Sequence, residues 1–388
     1  MWGAWLVETM TGRVGARLDL LGGSVETVLN GADTLKIATP WHELAKVDRR
    51  RWAPWQASLL IAHACPLLPD WRAWASGPII NLPSAEHVSI NGEDTVVAEI
   101  PGKGLREMLR YRIETAGTDY TGDVDAVKTA TRKLSGMSLG TIGAELVKAA
   151  LARRGGQLPI RFRAELRETG LTPGHERTFE GFNVASSDVD KLLSNLSEVQ
   201  GGPDFVLRPS LTTDNGWQVT HDLLHGSSAS PHIPQERQLV WDATAPDGPV
   251  TGMQIVTDSS LVATRVWATG AGDGAGIAMQ VAEDQERLSA GWPLMETVVS
   301  SQTTTELATL AQHASGRLEA GHSPTVQANV TVQADHPASV LGTWHVGDRV
   351  LLCTPDHPAL PAGEYLMTII TASADLGSES VRVHLQED

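Results

Sequence analysis

Between Thr178 and His225 the apolar positions change period twice. Val189, Leu192, Leu193, Leu196 and Val199 fall at i, i+3, i+4, i+7 and i+10, which is one face of a helix. Ser186 or Ser187 is placed to cap its first turn by accepting a backbone N–H. Gly201 and Gly202 are placed to end it, since glycine enters the left-handed conformation without a Cβ penalty, and Pro203 blocks resumption. Phe205 to Leu207 and Trp217 to Val219 flank Asp214-Asn215-Gly216, a pattern that predicts a hairpin. None of these residues announces catalysis; the stretch reads as scaffold.

The same two periods organise the rest. Residues 1 to 38 form short apolar runs broken at Thr11-Gly12, Gly22-Gly23 and Asn30-Gly31, a meander of strands. Val88 to Ile100 continues the strands, and Gly104 to Tyr111 predicts a short helix. Residues 115 to 137 are polar and read as a junction. Ser138 caps a helix with Leu139, Ile142, Leu146, Val147 and Ala150 on one face, stopped by Gly155-Gly156. This helix is the expected cover for the 189–199 face. Residues 159 to 177 read as an extended arm, and 226 to 235 as loop. From Leu239 strands resume. Gly270 to Gly276 is a hairpin loop, because its glycine spacing is wrong for a dinucleotide turn. Thr303 with Glu306 forms a capping box before the helix Leu307 to Leu318. Thr325 to Gln333 alternates strictly, and Tyr365–Ala372 with Ser380–Leu385 closes the chain as a strand pair. The expected class is mainly β (α+β). The expected units are 1–122 (strands and a short helix), 123–235 (an α+β insertion) and 239–388 (strands with a packed helix).

Composition narrows the function. A chain of 388 residues is long enough for about two to four domains. Its net charge of −16 argues against a surface that grips nucleic acid or anionic lipid. Cys65 and Cys353 lie far apart in apolar contexts, which reads as two free thiols. The start, MWGAWLVETMTG, lacks a basic segment and a long apolar run, so no secretory signal is expected. Apolar runs stay short of the about 20 residues of a membrane span.

Candidate chemistry is sparse. Trp41, Trp52, Trp55, Trp71 and Trp74 are interleaved with Arg49, Arg50, Arg51 and Arg72. Aromatics with arginine suit a sugar or single-stranded nucleic acid. The overall acidity opposes nucleic acid, and tryptophan supplies much buried area at contacts. We therefore read the five tryptophans with Arg50 and Arg51 as interface residues or barrel core, with a cell-wall glycan platform as the alternative. His42-Glu43 lacks the second histidine of a zinc-protease helix. His221 and His225 are four apart with His232 beyond, but in a strand running into loop rather than a helix. No nucleophile elbow, P-loop or kinase set occurs. No catalytic, cofactor or metal residue is assigned, and an envelope hydrolase is a third, weaker reading.

Three blocks carry a resemblance. They are GFNVASSDVDKLLSNLSEVQGGPDFVLRP, then TTTELATLAQHASGRLEAG with VQANVTVQA and GTWHVGDRVLL, and finally EYLMTIITASADLGSESVRVHL. Together they resemble minor tail proteins of siphophages infecting actinobacteria and, more distantly, the baseplate hub and late-control proteins of contractile tails. The Trp-, Ala- and Gly-rich composition suits a high-GC host. The resemblance implies a phage baseplate hub fold: two tail-tube-like β-barrel or sandwich domains with an α+β insertion. It implies a homotrimer at the virion tail tip, touching the distal tail protein, the tail tube, the tape measure and receptor-binding proteins. Viral DNA would pass a channel lined with carboxylates. Larger members carry a C-terminal extension not seen in this sequence, so the resemblance implies no wall hydrolysis by this chain and an expectation that partner proteins bind the receptor.

Overall fold

The computed structural model describes the chain apart from residues 91–92, 213–215, 302–303, 323–324 and 388. In chain order it begins with β1 (Trp2–Glu8), β2 (Val14–Leu18), β3 (Gly22–Val28), β4 (Thr34–Pro40), the one-turn α1 (Trp41–Leu44), β5 (Ala57–Cys65), β6 (Leu68–Pro78), β7 (Ser84–Ile90) and β8 (Glu93–Lys103). The middle holds α2 (Val124–Thr129), β9 (Thr131–Met137), α3 (Leu139–Ala152), β10 (Ile160–Phe162), β11 (His175–Glu180), α4 (Val189–Ser197), β12 (Phe205–Thr212) and β13 (Gln218–His225). The remainder is β14 (Leu239–Asp242), β15 (Val250–Asp258), β16 (Arg265–Thr269), β17 (Met279–Glu283), α5 (Gln285–Ser289), β18 (Glu296–Ser300), α6 (Leu307–Ala320), β19 (Thr325–Gln333), β20 (Arg349–Thr354), β21 (Gly363–Asp375) and β22 (Ser380–Glu387). The chain is mainly β, as its patterning predicts.

One ten-stranded sheet dominates. Its main path runs β15-β19-β22-β21-β3-β4-β8-β7, with β20 and β14 branching from β21. Strands from both ends of the sequence meet in it, where Thr371–Asp375 of β21 pair antiparallel with Ser24–Val28 of β3. Alternation explains its two faces. Val25, Leu35, Ile37, Ile100, Val330, Val383 and Leu385 turn inward to the largest core, which also takes Leu59, Ile61 and Trp74 from the β2-β1-β5-β6 sheet. A second core joins α3 and α4 (Ile142, Leu146, Leu193, Leu196) to Phe205 and Leu223 of the hairpin and to Leu105 and Leu109. A small third unit packs α6, through Leu310 and Ala314, on one face of the sheet β17-β16-β18.

Local signals mostly held, and where they failed a nearer hydrogen bond decided. Ser138 caps α3 by accepting from Thr141 N at 3.2 Å, and α3 covers α4 as expected. Neither Ser186 nor Ser187 caps α4. Asp188, one residue closer, accepts from Lys191 N at 2.9 Å, while the Ser187 hydroxyl donates back to Asn183 O. This helix also ends at Ser197, short of the glycines, because Ser197 Oγ bonds Pro203 O and the following turn closes between Gly202 N and Val199 O. Residues 105–111 form a 3-10 rather than an α-helix. The 115–137 stretch holds α2 and β9, and β9 pairs with β11 from the expected arm. Asn30 adopts the left-handed φ of 57° its turn demands. The Gly270–Gly276 loop joins antiparallel β16 and β17. The cap at α6 falls partly outside the described residues at Thr303, as do Asp214 and Asn215 of the hairpin turn; Glu306, at the cap position, makes no side-chain cap bond. Cys65 is a buried thiol and Cys353 a half-buried one.

Candidate assembly surfaces

The tryptophans divide into inward and outward sets. Trp74, 2% exposed, packs edge-on to Trp344 at 5.1 Å, which packs edge-on to Trp241 at the same spacing. His345 lies flat against Trp74 at 5.7 Å. Trp52 is also buried and donates from Nε1 to Val47 O. Trp71 is half-buried against Trp5, with the Arg17 guanidinium 5.3 Å from its ring centre. Trp41 and Trp55 remain 39% and 37% exposed. Trp55 is held in the left-handed region at φ 66°, a costly conformation for a bulky residue, and packs on the exposed Tyr111. Arg50 and Arg51 are exposed and line a groove with Glu8, Arg13 and Gln56. A second groove runs past Trp41, Lys46, Arg49 and Trp52 to Leu82 and Pro83.

This geometry bears on sugar binding. A sugar platform needs exposed, nearly coplanar rings, yet Trp41 and Trp52 meet at 78° and Trp5 and Trp71 at 79°. Instead Trp41 lies with Lys46 and Arg49 in one groove, and Trp55 meets Tyr111 edge-on at 68°; exposed aromatics and arginine are enriched at protein contacts.

The large sheet supplies the second surface. Its outward positions are polar: Asn329, His384, Arg382, Ser373, Ser24, Glu26, Lys36, Glu99 and Glu86 follow one another across the strands. Lys36 pairs with Glu99 at 2.7 Å, Arg382 with Asp375 at 3.5 Å, and Lys103 donates to Thr34. Its path ends in two strands, β15 and β7, that each pair on one side alone. Sequence patterning placed strands from Leu239 on, which include β15, but its Val88–Ile100 run overlaps only the end of β7 and joins it to β8, and it carries no signal for which strands stand at an edge.

The histidines and buried charges do structural work. His221 Nε2 faces Ser76 O at 3.3 Å, and burial pushes this imidazole down to about 4. His225 bonds Gly226 O, and His345 is held well below its ordinary range by burial and by Arg208. Asp222 is paired with both Arg161 and Arg163, and Arg208 with Asp348. Arg106 links Asp190 of α4 to Phe205 O. A cavity of about 20 Å³ lies among Thr27, Asp33, Trp74, Arg208 and His345, large enough for about one water. Among the described residues no group of three or more His, Cys, Asp or Glu side chains is arranged to hold a metal.

No protein-family model and no curated protein matches this sequence. Solved structures do match over the whole chain. The tail protein from Neisseria meningitidis MC58 is similar at 14% identity and a TM-score of 0.55, covering 100% of this chain and 97% of that one. The 43 kDa tail protein of prophage MuSo2 from Shewanella oneidensis is similar at 11% identity and a TM-score of 0.56, covering 100% and 98%. At such identities the likeness shows architecture, and the architecture of this chain is similar to that of these two tail proteins.

Proposed function

We propose that the chain is a structural virion protein, the hub at the distal tip of a non-contractile tail of a phage infecting an actinobacterium. Three copies form a ring that closes or extends the tail tube. The ring anchors receptor-binding and other tail-tip proteins, and it contacts the distal tail protein and the tape measure. The observation that carries this reading is the large sheet with a polar outer face, whose main path ends in β15 and β7, each paired on one side alone. Open edges are templates for pairing with another chain, and a monomer would need to blunt them. Because β15 and β7 are different edges, self-pairing is head to tail, and a rotation that closes gives a ring.

The polar face is the proposed channel wall, where acidic and neutral groups dominate. Glu26, Glu86, Glu99 and Asp375 stand on it with Lys36, Lys103 and Arg382; Lys36 pairs with Glu99 and Arg382 with Asp375, so Glu26 and Glu86 are the carboxylates outside those two pairs. Phosphates passing such a wall meet held cations and release few counterions, so DNA slides without sticking. The protein then works by shape and charge, without catalysis.

Sedimentation velocity with native mass spectrometry across a concentration series tests this. The expected species is a trimer. A chain that stays monomeric at every concentration contradicts the proposal.

A further inference from the structure

We propose that the open face of the β17-β16-β18 sheet docks on the Trp41–Trp55 surface of a second copy of this chain. The inference rests on the ring reading and specifies one of its contacts. One face of this sheet is covered by α6. On the other face Trp267 stands between Val281 and Val298 in register. Val281 is 48% and Val298 62% exposed, an apolar row facing solvent in the lone chain. In the adjacent row Arg265 stands between Glu283 and Glu296 and pairs with both. Two carboxylates share one guanidinium there, so the row keeps a negative charge. Glu296 also accepts from Trp267 Nε1 at 2.9 Å, which ties the indole to the acidic row.

The complementary surface is elsewhere on the same molecule. Segment 265–300 holds five carboxylates and two guanidinium groups, whereas segment 41–56 holds four basic groups and two carboxylates. Arg49 lines the Trp41 groove, Arg50 and Arg51 line the neighbouring groove, and all three are exposed. Trp55, at a left-handed φ of 66°, is 37% exposed and packs on Tyr111. An apolar row rimmed by carboxylates thus has an aromatic patch rimmed by arginines to meet, the pairing that sets register and orientation at contacts.

Topology brings the two together. The chain leaves β15 at Asp258 and enters the β16–β18 unit. Leu82 and Pro83 line the Trp41 groove and lead directly into β7. All seven pairings from β15 to β7 are antiparallel, so these two edge strands run in opposite directions. The end of β15 and the start of β7 therefore lie at the same end of the sheet. A ring that sets β7 of one copy beside β15 of the next places the acidic face and the basic patch at one rim.

The test replaces Val298 by a photo-crosslinking residue in the full chain and mixes isotope-labelled with unlabelled copies. The expected product links position 298 to the peptide 41–56 of a different copy. In parallel, the double variant Arg50→Glu, Arg51→Glu is expected to weaken self-association about tenfold or more at low salt, with the thermal midpoint of the monomer unchanged. An intact ring that crosslinks elsewhere, fails to crosslink, or ignores the arginine reversals overturns this contact while sparing the ring. A chain that never associates overturns both.

Discussion

His221 shows how a single buried group couples this fold to pH. Its imidazole is 2% exposed, and burial outweighs the bond to Ser76 O and the nearby Asp222, leaving a value of about 4. Unfolded, the same group titrates near about 6.5. Between these values the unfolded chain binds the proton and the folded one does not, so stability is lost as pH falls from about 6.5 toward 4. From pH 7.5 to 5 that amounts to about 2 kcal/mol. Asp33 acts in the opposite sense, because burial raises its carboxyl to about 7 and its contribution falls as pH rises. We expect urea titrations of His221→Gln to show a pH dependence flatter by about 2 kcal/mol over that range than the parent. Parallel curves would remove His221 as the cause. At this scale the sequence is informative about amounts but not directions. The tryptophan cluster was visible, yet the register against β5 slips at Trp74, and this bulge turns Ala73 toward one core and Trp74 and Ala75 toward another. No periodicity marks a bulge.

Among the elements, α4 is the clearest case of a signal that survives translation into structure. Its apolar face was legible because a 3.6-residue period is local, and Val189, Leu193 and Leu196 are indeed buried. The cap was misplaced by one or two residues because Ser186, Ser187 and Asp188 are chemically equivalent candidates, and only geometry selects Asp188. The strand pairings that build the large sheet were not legible. β3 against β21 and β14 parallel to β20 join residues more than one hundred positions apart, and alternation says which face is buried but not who the neighbour is. The α3–α4 core yields a prediction at this scale. Leu193→Asp places a charge in a site 1% exposed and is expected to destabilise that core by about 4 kcal/mol. Hydrogen exchange should then accelerate in α3, α4, β12 and β13 while β19, β21 and β22 stay protected. Equal acceleration everywhere would mean that the second core and the large sheet unfold as one unit.

For the whole molecule, the decisive features are collective. The blocks within 181–209 and 303–385 resemble tail proteins, and the full-length match to two tail-protein structures agrees with that fold. The open edges β15 and β7, the polar face between them and the Val281–Trp267–Val298 row exist only once the strands are paired, so a linear reading could not reach them. They are also the features on which assembly turns. The most direct measurement is an electron-microscopic reconstruction of the assembled protein at side-chain resolution. Our account predicts three copies about one axis, β7 of each beside β15 of the next, with Glu26, Glu99 and Asp375 facing a central channel. A ring whose channel is lined instead by Arg49, Arg50 and Arg51, or an assembly that leaves both edge strands free, would contradict it.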